Sequence, residues 1–123
     1  MDELLSTWPT KACFSPVGET VITGNRKLPA TPAGNPVREA YRLWNNALLK
    51  GRSSWDQVAV LYAARPHLFE VWQGRLRHTS GPNVVWESPA VDSRHYRVQP
   101  KLSESALAEM IEDLMAQPPK SGR

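Results

Sequence analysis

One stretch limits the fold of this chain more than any other: the apolar run Val58-Ala59-Val60-Leu61-Tyr62-Ala63-Ala64, opened by Ser53-Ser54-Trp55-Asp56-Gln57 and closed by Arg65-Pro66. Serine ahead of the run reads as an N-cap, acidic Asp56 belongs in a first turn, and Pro66 ends the helix. Because the run is apolar on nearly every face, the helix is expected inside a layered domain, with Asp56 where the chain meets a cavity. A carboxylate buried there has to be paired, hydrogen-bonded or bound to metal. The residue also fits a plainer role, stabilising the helix start by about 0.5–1 kcal/mol. Trp55 equally fits core packing.

At 123 residues the chain has room for one domain, expected over residues 1–116, with a disordered tail at 117–123. An apolar fraction of 41% with five Trp supplies a core, while eleven Pro favour loops over long regular elements. The net charge of +3 is dispersed along the chain and argues only weakly for a polyanionic partner. Cys13 is the single cysteine, which excludes a disulfide framework and a thiolate zinc site within the chain. No apolar run approaches the ~18 residues of a membrane span, and Met1-Asp2-Glu3-Leu4-Leu5 lacks the basic start and apolar segment of a secretion signal. The expectation is a cytoplasmic chain with no membrane partner.

Leu4, Leu5 and Trp8 ahead of Pro9 look like the last turns of a longer helix. Residues 11–15 and 20–23 are short strand candidates. From Gly24 to Pro36 the composition shifts to Pro, Gly, Asn and Thr, an irregular loop long enough to cover something. Asn35 is a good N-cap and Pro36 a good first helical residue. Val37, Ala40, Tyr41, Trp44, Ala47 and Leu48 then recur at helical spacing up to a Gly51 stop. Residues 68–72 and 75–78 flank Gln73-Gly74, which predicts a two-residue hairpin turn. Residues 84–87 and 95–98 are further strands, and Ser103 caps an amphipathic helix that stops before Pro118-Pro119.

Few side chains outside the Trp-Asp helix start carry chemistry. His67, His78 and His95 lack metal-ligand spacing, and Cys13 reads as a buried strand residue. Arg75, Arg77, His78, Arg94, His95 and Arg97, interleaved with Trp72, Trp86 and Tyr96, fit a basic aromatic surface for single-stranded nucleic acid. Alternation in a half-exposed hairpin accounts for the same residues without a ligand.

Phe14-Ser15 with Ile22-Thr23-Gly24, Asn35-Pro36-Val37-Arg38-Glu39-Ala40-Tyr41, and Ser54-Trp55-Asp56-Gln57 with Ala59, Leu61, Tyr62 and Ala63 resemble the C-terminal part of the inosine-uridine-preferring nucleoside hydrolase family. The likeness extends from about Trp8 to Tyr96. It implies an α/β fold, an open and mainly parallel sheet flanked by helices, here with a local antiparallel β-hairpin; the isolated segment is expected to look α+β. The implied activity is that of an N-glycosidase: calcium-assisted hydrolysis of the N-glycosidic bond of purine or pyrimidine nucleosides. Asp56 matches the family's late aspartate, a calcium and ribose ligand, and Trp55 then walls the base pocket. Many members carry His before that aspartate, and an indole offers no proton near neutral pH, so position 55 gives the leaving base no general acid. The family's aspartate-rich D-x-D-x-x-x-D-D motif does not occur in this sequence. Calcium takes six to eight oxygens, so Asp56 alone does not make a site. The chain is therefore expected to be a truncated hydrolase fragment that binds no calcium by itself, is completed for its nucleoside substrate by an upstream half, and associates through an open sheet edge. The alternative is a non-catalytic remnant or interaction module using its basic aromatic hairpin.

Overall fold

A computed structural model describes residues 2–79, 83–88 and 92–118. In chain order it contains α1 (Asp2–Thr7), β1 (Ala12–Phe14), β2 (Ile22–Thr23), α2 (Pro36–Leu43), α3 (Ala47–Lys50), β3 (Arg52–Ser53), α4 (Trp55–Ala64), β4 (Phe69–His78), β5 (Val84–Glu87), β6 (His95–Pro100) and α5 (Glu104–Ala116). Four strands form a sheet in the order β1-β6-β4-β5, and β2 pairs with β3 in a separate ladder. Among these ladders only β1–β6 is parallel, with Ala12 opposite His95; the others are antiparallel. The architecture is mixed α/β with a mixed sheet.

The helix starts follow local chemistry. Asn35 Oδ1 accepts from the amides of Val37 and Arg38 at 2.8 and 3.2 Å, which satisfies two of the orphan donors that open α2. Ser103 Oγ does the same for Ala106 in α5. The helix predicted to run on to Leu48 instead breaks after Leu43, because Asn45 and Asn46 take left-handed conformations with φ of 44° and 55°. Asparagine is one of the few residues that enters that region readily. The chain resumes as α3 and stops at Gly51, whose φ of 74° suits glycine.

The main core joins Val58 and Leu61 of α4, Phe69 and Val98 of the sheet, Val21, and Leu107, Ala108 and Ile111 of α5. A smaller cluster gathers Leu28, Tyr41 and Ala47. Only Val58 and Leu61 of α4 are buried, one turn apart on a single face. Val60 is 67% exposed, so the expectation of a helix enclosed on all sides is corrected: α4 lies along one edge of the core.

The predicted hairpin turn at Gln73-Gly74 is also corrected. β4 passes straight through both residues, pairing Phe69–Gly74 with β6 and Arg75–His78 with β5. Gly74 serves another purpose there: a Cβ would come within 2.4 Å of the Trp86 ring, so its bare backbone makes room for the indole. The actual connection lies between His78 and Val84, where Thr79 N donates to Asn83 O. Of the tail predicted to be disordered, residues 119–123 lie outside the described residues.

A carboxylate with no sequence signature ties these parts together. Glu112 of α5 is fully buried, and its two oxygens accept from the backbone amides of Gly24, Arg26 and Lys27, the first and last at 2.6 Å. Backbone donors thus replace the water that a buried carboxylate loses. Lys27 then reaches back to Asp113 and Glu109 on the outer face of α5. The irregular loop after Gly24 is held by this clamp.

Gly24 has a φ of 101°, and a Cβ there would lie 2.1 Å from the Tyr41 ring. Gly24→Ala is therefore expected to cost about 2 kcal/mol or more, read as a lowered denaturant midpoint. Glu112→Gln keeps the shape of the side chain but turns one acceptor into a donor facing an amide. A loss of about 2–3 kcal/mol in urea unfolding is expected; an unchanged midpoint would show that the clamp contributes nothing to stability.

Candidate functional site

The start of α4 is held from beneath by neutral hydrogen bonds. Ser54, at the N-cap position, is fully buried and makes no side-chain cap; its hydroxyl bonds instead to Thr23 Oγ1 at 2.7 Å. Thr23 Oγ1 also meets the Tyr41 hydroxyl at 3.0 Å, and Gln57 Nε2 donates to that same phenol oxygen at 3.0 Å. On the other side, Ser54 N donates to Gly18 O and Ser53 Oγ to Glu19 O, at 2.8 and 2.7 Å. Gly18 takes a φ of 140°, and a Cβ on it would lie 2.6 Å from Trp55 Cα. Backbone of the Gly18 turn thus lies directly against backbone of the helix start, an approach only glycine permits.

Above this foundation two side chains remain uncommitted. Trp55 is 47% exposed. Asp56 is exposed and makes no hydrogen bond or ion pair with any described residue, so the expectation of a buried carboxylate is corrected. The physical reason is the placement of α4: its buried stripe is Val58–Leu61, and residue 56 falls off that stripe. Nearby in the chain, the Arg52 guanidinium stacks 4.3 Å from the Trp44 ring centre, which holds a second exposed indole beside the β3–α4 junction.

The chemistry open to this pair is specific. A first-turn carboxylate with both oxygens free accepts from sugar hydroxyls or ligates a hard cation. A half-exposed indole offers a flat apolar face for stacking. Asp56 brings at most two of the six to eight oxygens that calcium takes, and no group of three or more His, Cys, Asp or Glu side chains gathers among the described residues. These residues do not fit a calcium ion by themselves.

The remaining candidates are dispersed. His95 is buried with both ring nitrogens occupied: Leu76 N donates to Nδ1 at 3.0 Å, so Nε2 carries the proton and donates to Leu5 O at 3.0 Å. Cys13, expected to be buried, is exposed, with its sulfur 3.7 Å from the Tyr62 hydroxyl; that contact, together with burial, raises the phenol above its ordinary pKa. The pleat divides the basic aromatic set. Trp72, Arg97, His95 and Trp86 fall on one sheet face, whereas Tyr96, Arg75 and Arg77 fall on the other. Arg77 is further paired with Glu87 at 3.1 Å.

What sequence reasoning missed here is the Thr23–Tyr41–Ser54–Gln57 network, which fixes the helix start. The one local hint was two adjacent serines, Ser53 and Ser54, where a single cap suffices. Comparison with protein-family models, with curated proteins and with solved structures gives no match to this chain.

Proposed function

We propose that this chain forms the distal wall of a ribonucleoside N-glycosidase site of the inosine-uridine-preferring nucleoside hydrolase type, as the C-terminal segment of an open, mainly parallel α/β fold. The observation that carries the reading is a carboxylate without partners beside a half-exposed indole, both on a helix start immobilised from below. Preorganisation of that kind is what a binding site requires, since side chains fixed before the ligand arrives lose less entropy on binding.

In this reading Asp56 accepts from ribose hydroxyls and contributes one carboxylate to a cation, and Trp55 stacks on the nucleobase. Neighbours in a helix point about 100° apart, which suits two walls of one pocket better than two ligands of one atom. Trp55 holds no exchangeable acid, so departure of the base is assisted by stacking and exclusion of water rather than by proton donation from that position. The other oxygens for calcium belong to an upstream segment or a second polypeptide. Asp56 together with those oxygens would hold the ion, which would supply Lewis-acid activation of a water.

The chain expressed together with the sequence encoded directly upstream of Met1 tests this. An aspartate-rich strand-loop motif is expected there, with calcium-dependent release of ribose from inosine or uridine that falls about 100-fold or more in Asp56→Ala. The chain alone is expected to show neither ribose release nor a calcium-dependent thermal shift. Unrelated upstream sequence, or full turnover in Asp56→Ala, would sink the reading.

A further inference from the structure

A cleft of about 680 Å³ opens between α1 with the turn after it and the strands β4 and β6. It shares no residue with the start of α4. Its volume falls within the range of small-molecule sites, and its lining is dominated by polar groups, among them three guanidiniums: Arg75, Arg77 and Arg94.

Each arginine is in a different state. Arg94 is anchored by carbonyls rather than carboxylates: Nη1 donates to Pro9 O at 2.5 Å and lies 3.5 Å from Trp8 O, so the group is positioned with its positive charge uncompensated. Arg75 makes no hydrogen bond or ion pair with a described residue. Arg77 bonds Glu87, but both side chains are well exposed, and such a pair is easily exchanged for a better partner. Glu3 and Asp92 also line the cleft, yet neither forms an ion pair with these arginines. Arg75 and Arg94 are thus left without an ion-pair partner among the described residues.

Two neutral groups add to the set. Ser93 is buried at the cleft wall; its oxygen accepts from His95 N at 3.0 Å, leaving its hydroxyl proton to donate. Trp8, 45% exposed, also lines the cleft, with its indole N–H bonded to Thr10. A planar guanidinium fork can pair two N–H donors with two oxygens of a phosphate group, and a dianion gains more than a monoanion from a second guanidinium on the same cavity.

We propose that this cleft binds the phosphate group of a small molecule, free or as a monoester, with Arg75 and Arg94 as its main contacts. The proposal is independent of the nucleoside reading. Isothermal titration of the full chain at low ionic strength tests it with three probes: inorganic phosphate, ribose 5-phosphate and adenosine 5′-monophosphate. Saturable binding at about 0.1–1 mM is expected for at least one probe. Comparable affinity for all three assigns recognition to the phosphate itself, and a gain for the nucleotide assigns the rest to stacking on Trp8. Arg75→Gln, a substitution at an exposed site, is expected to weaken binding at least about 10-fold with unchanged thermal unfolding. Arg94→Gln is expected to weaken binding by a similar factor, with some loss of thermal stability because it also removes the bonds to the Pro9 and Trp8 carbonyls, and Arg65→Gln, outside the cleft, to change nothing. Absence of saturable binding, equal affinity in Arg75→Gln, or binding of a single-stranded oligonucleotide but of none of the three probes would overturn it.

Discussion

Everything around the start of α4 depends on one carboxylate placed in a ring of backbone amides. Glu112 brings a full charge into the interior, and only the amides of Gly24, Arg26 and Lys27 make that tolerable. Because those amides belong to a single short turn, the charge determines the conformation of the turn. Gly24 then seats the Tyr41 ring, the Tyr41 hydroxyl meets Thr23 and Gln57, and Thr23 meets Ser54. A line of contacts thus leads from the last helix to Ser54, the residue that precedes α4.

That line explains how an exposed pair of side chains is held on an ordered base. Trp55 and Asp56 have few contacts of their own, yet the backbone beneath them is fixed by Gly18, Glu19, Thr23 and Tyr41. Side chains at such a place retain their freedom to meet a ligand while their Cα positions do not drift. The arginine cleft is built on the opposite plan. There two of the lining side chains are themselves pinned, Arg94 by carbonyls and His95 by both ring nitrogens, while Arg75 is not.

What could be read in the sequence was local. The Asn35-Pro36 and Ser103 helix starts and the Gly51 stop depend on neighbours within a few residues, the strands near 12–14, 84–87 and 95–98 show in local composition, and all of them form. Errors arose where distant groups decide. Gln73-Gly74 has the composition of a turn, but Gly74 is needed under the Trp86 ring. Asn45 and Asn46 carry no apolar pattern, so helical periodicity on either side concealed the break between α2 and α3. A helix apolar all round predicts a buried Asp56, whereas burial depends on which elements lie beside the helix, and here the residue is exposed. Glu112 looked like one more acidic residue on an amphipathic helix; its partners lie 88 and 85 positions away.

The parallel ladder between β1 and β6 has a consequence for the order in which the chain takes shape. Ala12 lies opposite His95, so β1 has no partner in this ladder until synthesis has passed residue 95. Closing a loop of that length is entropically costly, and contacts this remote in sequence slow folding. Glu112 is made later still, so the turn of Gly24, Arg26 and Lys27 gains its carboxylate only after the partner strand of β1 exists.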